Sequence, residues 1–215
     1  MANLLNIMNT KEFIQQHFSY LDSTLQSEIE ENAILKTIPA DTEILKLGQY
    51  IKVIPIVIEG VIKVSTSYED KELLLYYIQP KESCIMSFSA GLNKEPSKVF
   101  AKTEEETTAL LLPINKVTRW TTQFPNINTI FFQQYNQRYS ELLDTINHLI
   151  YDKLDVRLLN YLIEKKTILN QNPINISHRQ IASELGTARE VISRALKKLE
   201  RDNKVELSTE SIKVL

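Results

Sequence analysis

The sequence predicts an α+β chain in three parts: an N-terminal β-barrel or jelly roll, a long dimerisation helix, and a C-terminal winged helix-turn-helix. Three observations predict it. Between Ile34 and Ile114, short apolar segments alternate with turn residues, the pattern of closely spaced strands in an all-β sandwich or barrel. Between residues 126 and 150, apolar and aromatic residues recur at spacings of three and four, the signature of a helix with a narrow apolar seam. Residues 177–199 read as two short helices around a glycine turn. The implied boundaries are 1–125 for an N-terminal helix and sensor-like barrel, 126–150 for the dimerisation helix and 151–215 for the winged helix-turn-helix.

The first element is a helix within residues 1 to about 30, with Phe13, Ile14, Phe18 and Leu21 on or near one face. Strands are predicted at Ile34–Ile38, Glu43–Leu47, Val53–Ile58, Val61–Ser65, Leu73–Ile78, Ser83–Phe88, Lys98–Lys102 and Thr107–Leu112. Gly48, Gly60 and Gly91 punctuate this region. Pro55, Pro80 and Pro113 suit strand edges or ends, because proline cannot donate to a central ladder.

In the long helix, Phe132, Tyr135, Tyr139, Leu142, Ile146 and Leu149 follow one another at spacings of 3, 4, 3, 4 and 3. That stripe suits an identical partner helix. Phe131, Leu143 and Ile150 lie beside it and can face the barrel, and this second stripe favours the dimer over packing wholly within one chain. A hinge is expected near Tyr151–Asp155, with Asp155 as a candidate cap for a helix through Lys165. Leu169–Ile176, rich in asparagine and containing Pro173, reads as a loop.

Both helix starts in the next segment are written in local chemistry. Ser177-His178-Arg179-Gln180 and Thr187-Ala188-Arg189-Glu190 each fit a capping box. Gly186 suits a positive φ beyond a helix end. Ala182 permits close approach, and Ile181, Leu185, Ile192 and Leu196 supply the packing faces. A polar αα-hairpin alone would not identify a function, so the charge distribution decides. Arg189, Arg194, Lys197, Lys198 and Arg201 outweigh Glu190 and Glu200 by +3 on the second helix, whereas the whole chain carries −2. A locally basic helix on a slightly acidic protein is an electrostatic footprint for phosphate. Beyond it, Val205, Leu207, Ile212 and Val214 alternate with polar residues across Ser208–Ser211, predicting a β-hairpin wing.

Composition narrows the function classes. An apolar fraction of 43% and a charged fraction of 24% are those of an ordinary soluble chain. No apolar run suffices to span a bilayer, and Asn3, Asn6, Asn9 and Lys11 interrupt what would otherwise be a signal peptide, so a cytoplasmic location is expected. With Cys84 alone, neither an internal disulfide nor a cluster held by several thiolates can form within the chain. His17, His148 and His178 have no metal-ligand spacing, and no metal or other cofactor is expected. No nucleophile–base set, phosphate loop or carboxylate pair of recognisable spacing points to an enzyme.

The order of barrel, long helix, hinge and winged helix resembles the Crp/Fnr family of bacterial transcription regulators over nearly the whole chain. The strongest match is Gln180-Ile181-Ala182-Ser183-Glu184-Leu185-Gly186-Thr187-Ala188-Arg189-Glu190-Val191-Ile192-Ser193-Arg194. Gly48-Gln49 through Ile58-Glu59-Gly60-Val61-Ile62-Lys63-Val64 is similar to the family's barrel strands, which makes the N-terminal domain cyclic-nucleotide-binding-like. The resemblance implies that Arg189, Glu190 and Arg194 face bases and nearby phosphates. Their chemistry agrees: arginine can donate in parallel to guanine O6 and N7, and glutamate can accept from cytosine N4. Glu190 has a competing role, since the third residue of a capping box can turn back to the Thr187 N–H. Ser193 and Lys197 share the outer face by i+3 and i+4 spacing. Lys198, Arg201 and His178 are expected on phosphates, with Ser177 and Thr187 flanking.

The departures from the family are equally specific. Members that bind cyclic nucleotides carry a Gly-Glu pair for the ribose and an Arg-Ser or Arg-Thr pair for the phosphate. Here the corresponding places hold Cys84-Ile85 and Glu95-Pro96. Isoleucine cannot accept from a hydroxyl, and a glutamate repels a phosphate, so cyclic AMP and cyclic GMP are not the expected effectors. Cys84, Ile85, Ser87, Ser97 and Lys98 are the candidate lining of an effector pocket, with Cys84 read as a small buried apolar residue. The reading is a homodimeric, sequence-specific regulator on a pseudo-palindromic site in double-stranded DNA, with RNA polymerase and an unidentified small molecule as further partners. The barrel is then either a sensor or a dimerising scaffold. The alternative class is a ligand-binding barrel that signals through protein contacts, with the winged helix as an interaction module.

Overall fold

A computed structural model describes residues 10–68, 71–151, 153–208 and 211–215. The chain begins with α1 (Thr10–His17) and α2 (Ser23–Asn32), then β1 (Ile34–Ile38), β2 (Glu43–Leu45), β3 (Val53–Glu59), β4 (Ile62–Tyr68) and β5 (Lys71–Ile78). Next come α3 (Ile85–Asn93), β6 (Phe100–Thr103), β7 (Thr107–Pro113), α4 (Ile114–Gln123) and the long α5 (Ile127–Tyr151). The C-terminal elements are α6 (Leu154–Leu169), α7 (His178–Glu184), α8 (Arg189–Arg201), β8 (Val205–Leu207) and β9 (Ile212–Val214). They form two compact units. One joins the residues up to Val64 with Tyr77–Gln137, and the other joins Ser65–Tyr76 with Arg138–Leu215.

The first unit is built on two sheets, ordered β1-β7-β3 and β2-β6-β4-β5. In the three-stranded sheet β7 pairs antiparallel with both neighbours, placing Leu110 opposite Leu35 and Ile56. Strand side chains alternate between faces. Ile54, Ile56, Leu110 and Leu112 therefore join Phe13, Ile14, Leu25, Ile29, Val117, Trp120 and Ile127 in one buried cluster from sheet and helices. Pro55 sits on β3, an edge strand, as its missing N–H requires.

Gly60 marks the tightest point of the β3–β4 turn. Its φ is +88°, and a Cβ there would stand 2.5 Å from the Glu106 carbonyl oxygen. Gly60→Ala is therefore expected to cost about 1–3 kcal/mol of stability. Equilibrium denaturation is the check, and an unchanged midpoint would show that this turn can relax.

The structure corrects two expectations here and adds one helix. The single N-terminal helix is two, because the Asp22 carboxylate accepts from Thr24 N–H at 2.8 Å and starts a new helix. Residues 1–9 of that expected helix lie outside the described residues. Of the strand expected at Ser83–Phe88, only Ser83 makes a bridge, antiparallel to Ile56, and Ile85–Phe88 open α3. Cys84 caps it, its Sγ accepting from the Ser87 N–H at 3.4 Å, and Phe88 stacks on Phe131 with ring centroids 3.6 Å apart. Lys94 closes α3 in the left-handed conformation (φ 55°), the place a glycine usually signals. Helix α4, not anticipated, starts directly after Pro113 and buries Val117 and Trp120.

In α5 the two stripes separate. Ile127, Ile130 and Phe131 are buried, whereas Phe132, Tyr135, Tyr139 and Leu142 are 71, 60, 54 and 52% exposed. Of the residues beside the seam, Phe131 does pack inward, but Leu143 is exposed. The side chains of Ile146, Leu149 and Ile150 lie outside the described residues.

The second unit has its own core, in which Leu158, Leu162, Ile181, Ile192, Leu196, Val205 and Ile212 are all buried. Leu74 of the β4–β5 hairpin packs against it, and the Tyr76 ring lies 4.6 Å from the Arg138 guanidinium. The expected wing is present. Strands β8 and β9 pair antiparallel with Val205 opposite Val214 and Leu207 opposite Ile212. Residues 209 and 210, within the expected Ser208–Ser211 connection, lie outside the described residues.

Candidate nucleic-acid interface

Helix α7 is anchored from below by a buried carboxylate. Glu184 accepts from the Tyr161 hydroxyl at 2.6 Å, from Lys165 Nζ at 3.4 Å and from Gln180 Nε2 at 3.1 Å. Tyr161 and Lys165 both belong to α6, and the Lys165 and Glu184 side chains are only 3 and 1% exposed. A buried ion pair of this kind sets geometry more than it adds stability, since desolvation offsets the attraction. Sequence spacing offered no signal for it, because the partners are 19 and 23 residues apart.

The two capping boxes fare differently. Ser177 caps α7 as expected, its hydroxyl accepting from Gln180 N–H at 3.1 Å, although the Gln180 side chain turns to Glu184 and not back. The second box does not form. The N-cap of α8 is Ala188, and the Thr187 N–H donates to Ala182 O at 2.8 Å. This removes the competing role of Glu190, which stands exposed in the first turn of α8 with no capping duty. Gly186 takes the turn at φ +64°. Ile181, Ala182, Ile192 and Leu196 are buried between the helices, with Leu185 partly buried against them.

The outer face of α8 follows from that packing. With Ile192, Leu196 and Leu199 turned inward, Arg189, Glu190, Arg194, Lys197, Lys198 and Arg201 are exposed. Two of the expected phosphate or flanking residues are occupied with each other, as His178 Nδ1 and Ser193 Oγ share a 2.9 Å hydrogen bond that ties the start of α7 to α8. Ser177 is exposed and Thr187 half-buried.

Lys198 forms an ion pair with Asp155. The hydrogen bond from Lys198 holds the Asp155 carboxyl below the usual carboxylate range, and the same bond raises the Lys198 ammonium. Asp155 is not the cap of α6, as the sequence had suggested. Lys153 holds that position without a side-chain bond, which leaves Asp155 in the first turn and its carboxylate available to Lys198. Helix α6 also runs to Leu169, beyond the expected Lys165.

Of the candidate pocket residues, Cys84, Ile85, Ser87 and Ser97 are buried and Lys98 is exposed. The Ser97 hydroxyl is turned to the backbone, donating to Val99 O at 2.7 Å. A cleft of about 400 Å³ in the same unit is lined by other residues, among them Tyr50, Gly91, Glu95 and Ile114. Among the described residues no cluster of metal-ligating side chains occurs, and no helix is long and apolar enough to cross a membrane.

Residues 156–215 match the family of Crp-like helix-turn-helix domains. Among curated proteins, "Probable transcriptional regulator flp" of Lacticaseibacillus casei is 28% identical over 93 residues, a stretch spanning 42% of each chain. Among solved structures, a protein of Eubacterium rectale assigned to the Crp/Fnr family of transcriptional regulators superposes with a TM-score of 0.83 at 24% identity, covering 92% of both chains. The c-di-GMP responsive global regulator CLP of Xanthomonas campestris gives 0.77 at 16% identity, over 90% of this chain and 99% of that one. The C-terminal residues 156–215 are thus a Crp-like helix-turn-helix domain, and the chain as a whole has the fold of Crp/Fnr transcriptional regulators.

Proposed function

We propose that this chain is a homodimeric, sequence-specific DNA-binding transcription regulator that does not respond to cyclic AMP. The observation that carries the reading is the exposed face of α8, where four arginine and lysine side chains besides Lys198 stand clear of the core within a Crp-like helix-turn-helix. Arg189, Glu190 and Arg194 are the base-reading set. Lys197 and Arg201 contact phosphates, and the His178–Ser193 pair holds α7 and α8 in register. The exposed stripe from Phe132 to Leu142 supports pairing through α5, which would bring two recognition helices to half-sites about one helical turn apart. Selection of bound fragments from genomic DNA, followed by mobility shift, tests the reading. A recurrent pseudo-palindrome supports it, and weak binding blind to sequence would favour the winged helix as a protein-interaction module.

The insensitivity to cyclic nucleotides rests on the positions that the family uses for ribose and phosphate. Ile85 is buried and apolar, and Glu95 presents an exposed carboxylate followed by Pro96. Two missing charge-assisted contacts, each worth about 1.5–3 kcal/mol, lower affinity by orders of magnitude. Calorimetric titration with cyclic AMP or cyclic GMP should show no heat of binding, and DNA affinity should be the same with either present. Saturable binding in the micromolar range would overturn this part of the reading.

A further inference from the structure

We propose that Asp155 is an internal stand-in for a DNA phosphate: its carboxylate neutralises Lys198 in the free protein, and binding exchanges it for a phosphate of the duplex. This rests on the helix-turn-helix reading above and adds a determinant of affinity to it. Lys198 lies on the exposed side of α8, one residue beyond Lys197 and three before Arg201, where a phosphate contact is expected. Yet among the described residues it is the one cation on that side that pairs with a carboxylate from another helix. The partner comes from the first turn of α6, 43 residues away, immediately after the α5–α6 junction. The carboxylate is the more enclosed of the two groups, 18% exposed against 48% for the ammonium, so it is held in place while the long lysine chain can swing away. Asp202 and Arg201 are the other charged groups acting on Lys198.

The arrangement has two consequences for DNA. Lys198 must leave one anion to reach another, so its net contribution is smaller than that of Lys197 or Arg201. The vacated carboxylate then stands close to the duplex and repels it. Because the pair joins the start of α6 to α8, a movement of Asp155 away from Lys198 would leave that ammonium free for a phosphate.

The test is a cycle of Asp155→Asn, Lys198→Ala and the double variant in the full-length protein. Affinity is measured by fluorescence anisotropy on a selected site and on random duplex between 50 and 200 mM salt. Asp155→Asn is expected to tighten binding to both duplexes by about two- to five-fold at the low-salt end and to steepen the salt slope by up to about 1. Lys198→Ala is expected to cost more affinity in the Asp155→Asn background than in the wild type. Unchanged affinity and slope in Asp155→Asn, or equal losses from Lys198→Ala in both backgrounds, would overturn the inference. Thermal melts of each variant identify a folding defect, and should Asp155→Asn melt early, Asp155→Ser supplies the neutral, helix-start-compatible replacement. If the wild type makes no distinction between site and random duplex, the functional reading fails. If it does and the cycle is flat, only the stand-in role fails.

Discussion

Replacing Arg189 and Arg194 together by alanine is expected to abolish sequence preference while leaving the protein folded. Both side chains are exposed, and neither packs into the core that holds α7 on α8. Truncation therefore removes contacts to DNA without opening a cavity. Each arginine that reads a guanine contributes about 1–3 kcal/mol, and a dimer presents each of them twice. The four losses together should bring affinity for a selected site down to that for random duplex, a fall of roughly three orders of magnitude or more. Anisotropy at one fixed salt concentration, with a melt to verify folding, reads this directly. Either single variant should relax one position of each half-site, whereas Lys197→Ala should weaken all sequences alike. A double variant that still prefers the selected site would mean that another element reads the bases.

Breaking the α5 stripe should have an effect of similar size by a different route. Tyr139→Glu with Leu142→Glu places like charges where two copies of the helix would meet. In the isolated chain both side chains are already more than half exposed, so the fold has little to lose. The dimer has much to lose, because repulsion at the seam adds to the loss of apolar burial. Sedimentation velocity should show a monomer. Specific binding should fall with it, since a single half-site contact is hard to separate from non-specific attraction. An intact dimer would remove this stripe from the assembly, and a monomer with full specificity would detach assembly from recognition.

These two tests draw on what the sequence wrote most clearly. The apolar stripe of α5 and the face of α8 are periodic over several turns, so side chains three and four apart fix the face, and burial separates Phe131 from Phe132 accordingly. Strands such as Ile34–Ile38 were legible because turn residues bound them. The segment from Ser83 to Phe88 was not, since a short apolar run suits a buried strand or a helix equally, and the Cys84 cap and the Phe88–Phe131 stack emerge only in the fold. The second capping box had the right letters, but Thr187 was already committed to Ala182 in the turn. At the candidate interface, the residue types and their exposure could be read from spacing. The Asp155 partner of Lys198, the Ser193 partner of His178 and the Tyr161 and Lys165 partners of Glu184 could not, because each is brought in by tertiary packing from another helix.

The buried Glu184 makes the helix-turn-helix a poor transplant. A segment cut at Ser177 and Arg201 would carry the carboxylate and Gln180 but leave Tyr161 and Lys165 behind. In a host whose supporting helix offers aliphatic residues at those two places, the graft would bury a negative charge with one neutral donor, a defect of about 3–5 kcal/mol. Moving the helix-turn-helix to another scaffold therefore requires carrying α6 along with it, or replacing Glu184 by an apolar residue of like volume. On the proposed function, what must be inherited together is three helices, although only α8 would meet the bases.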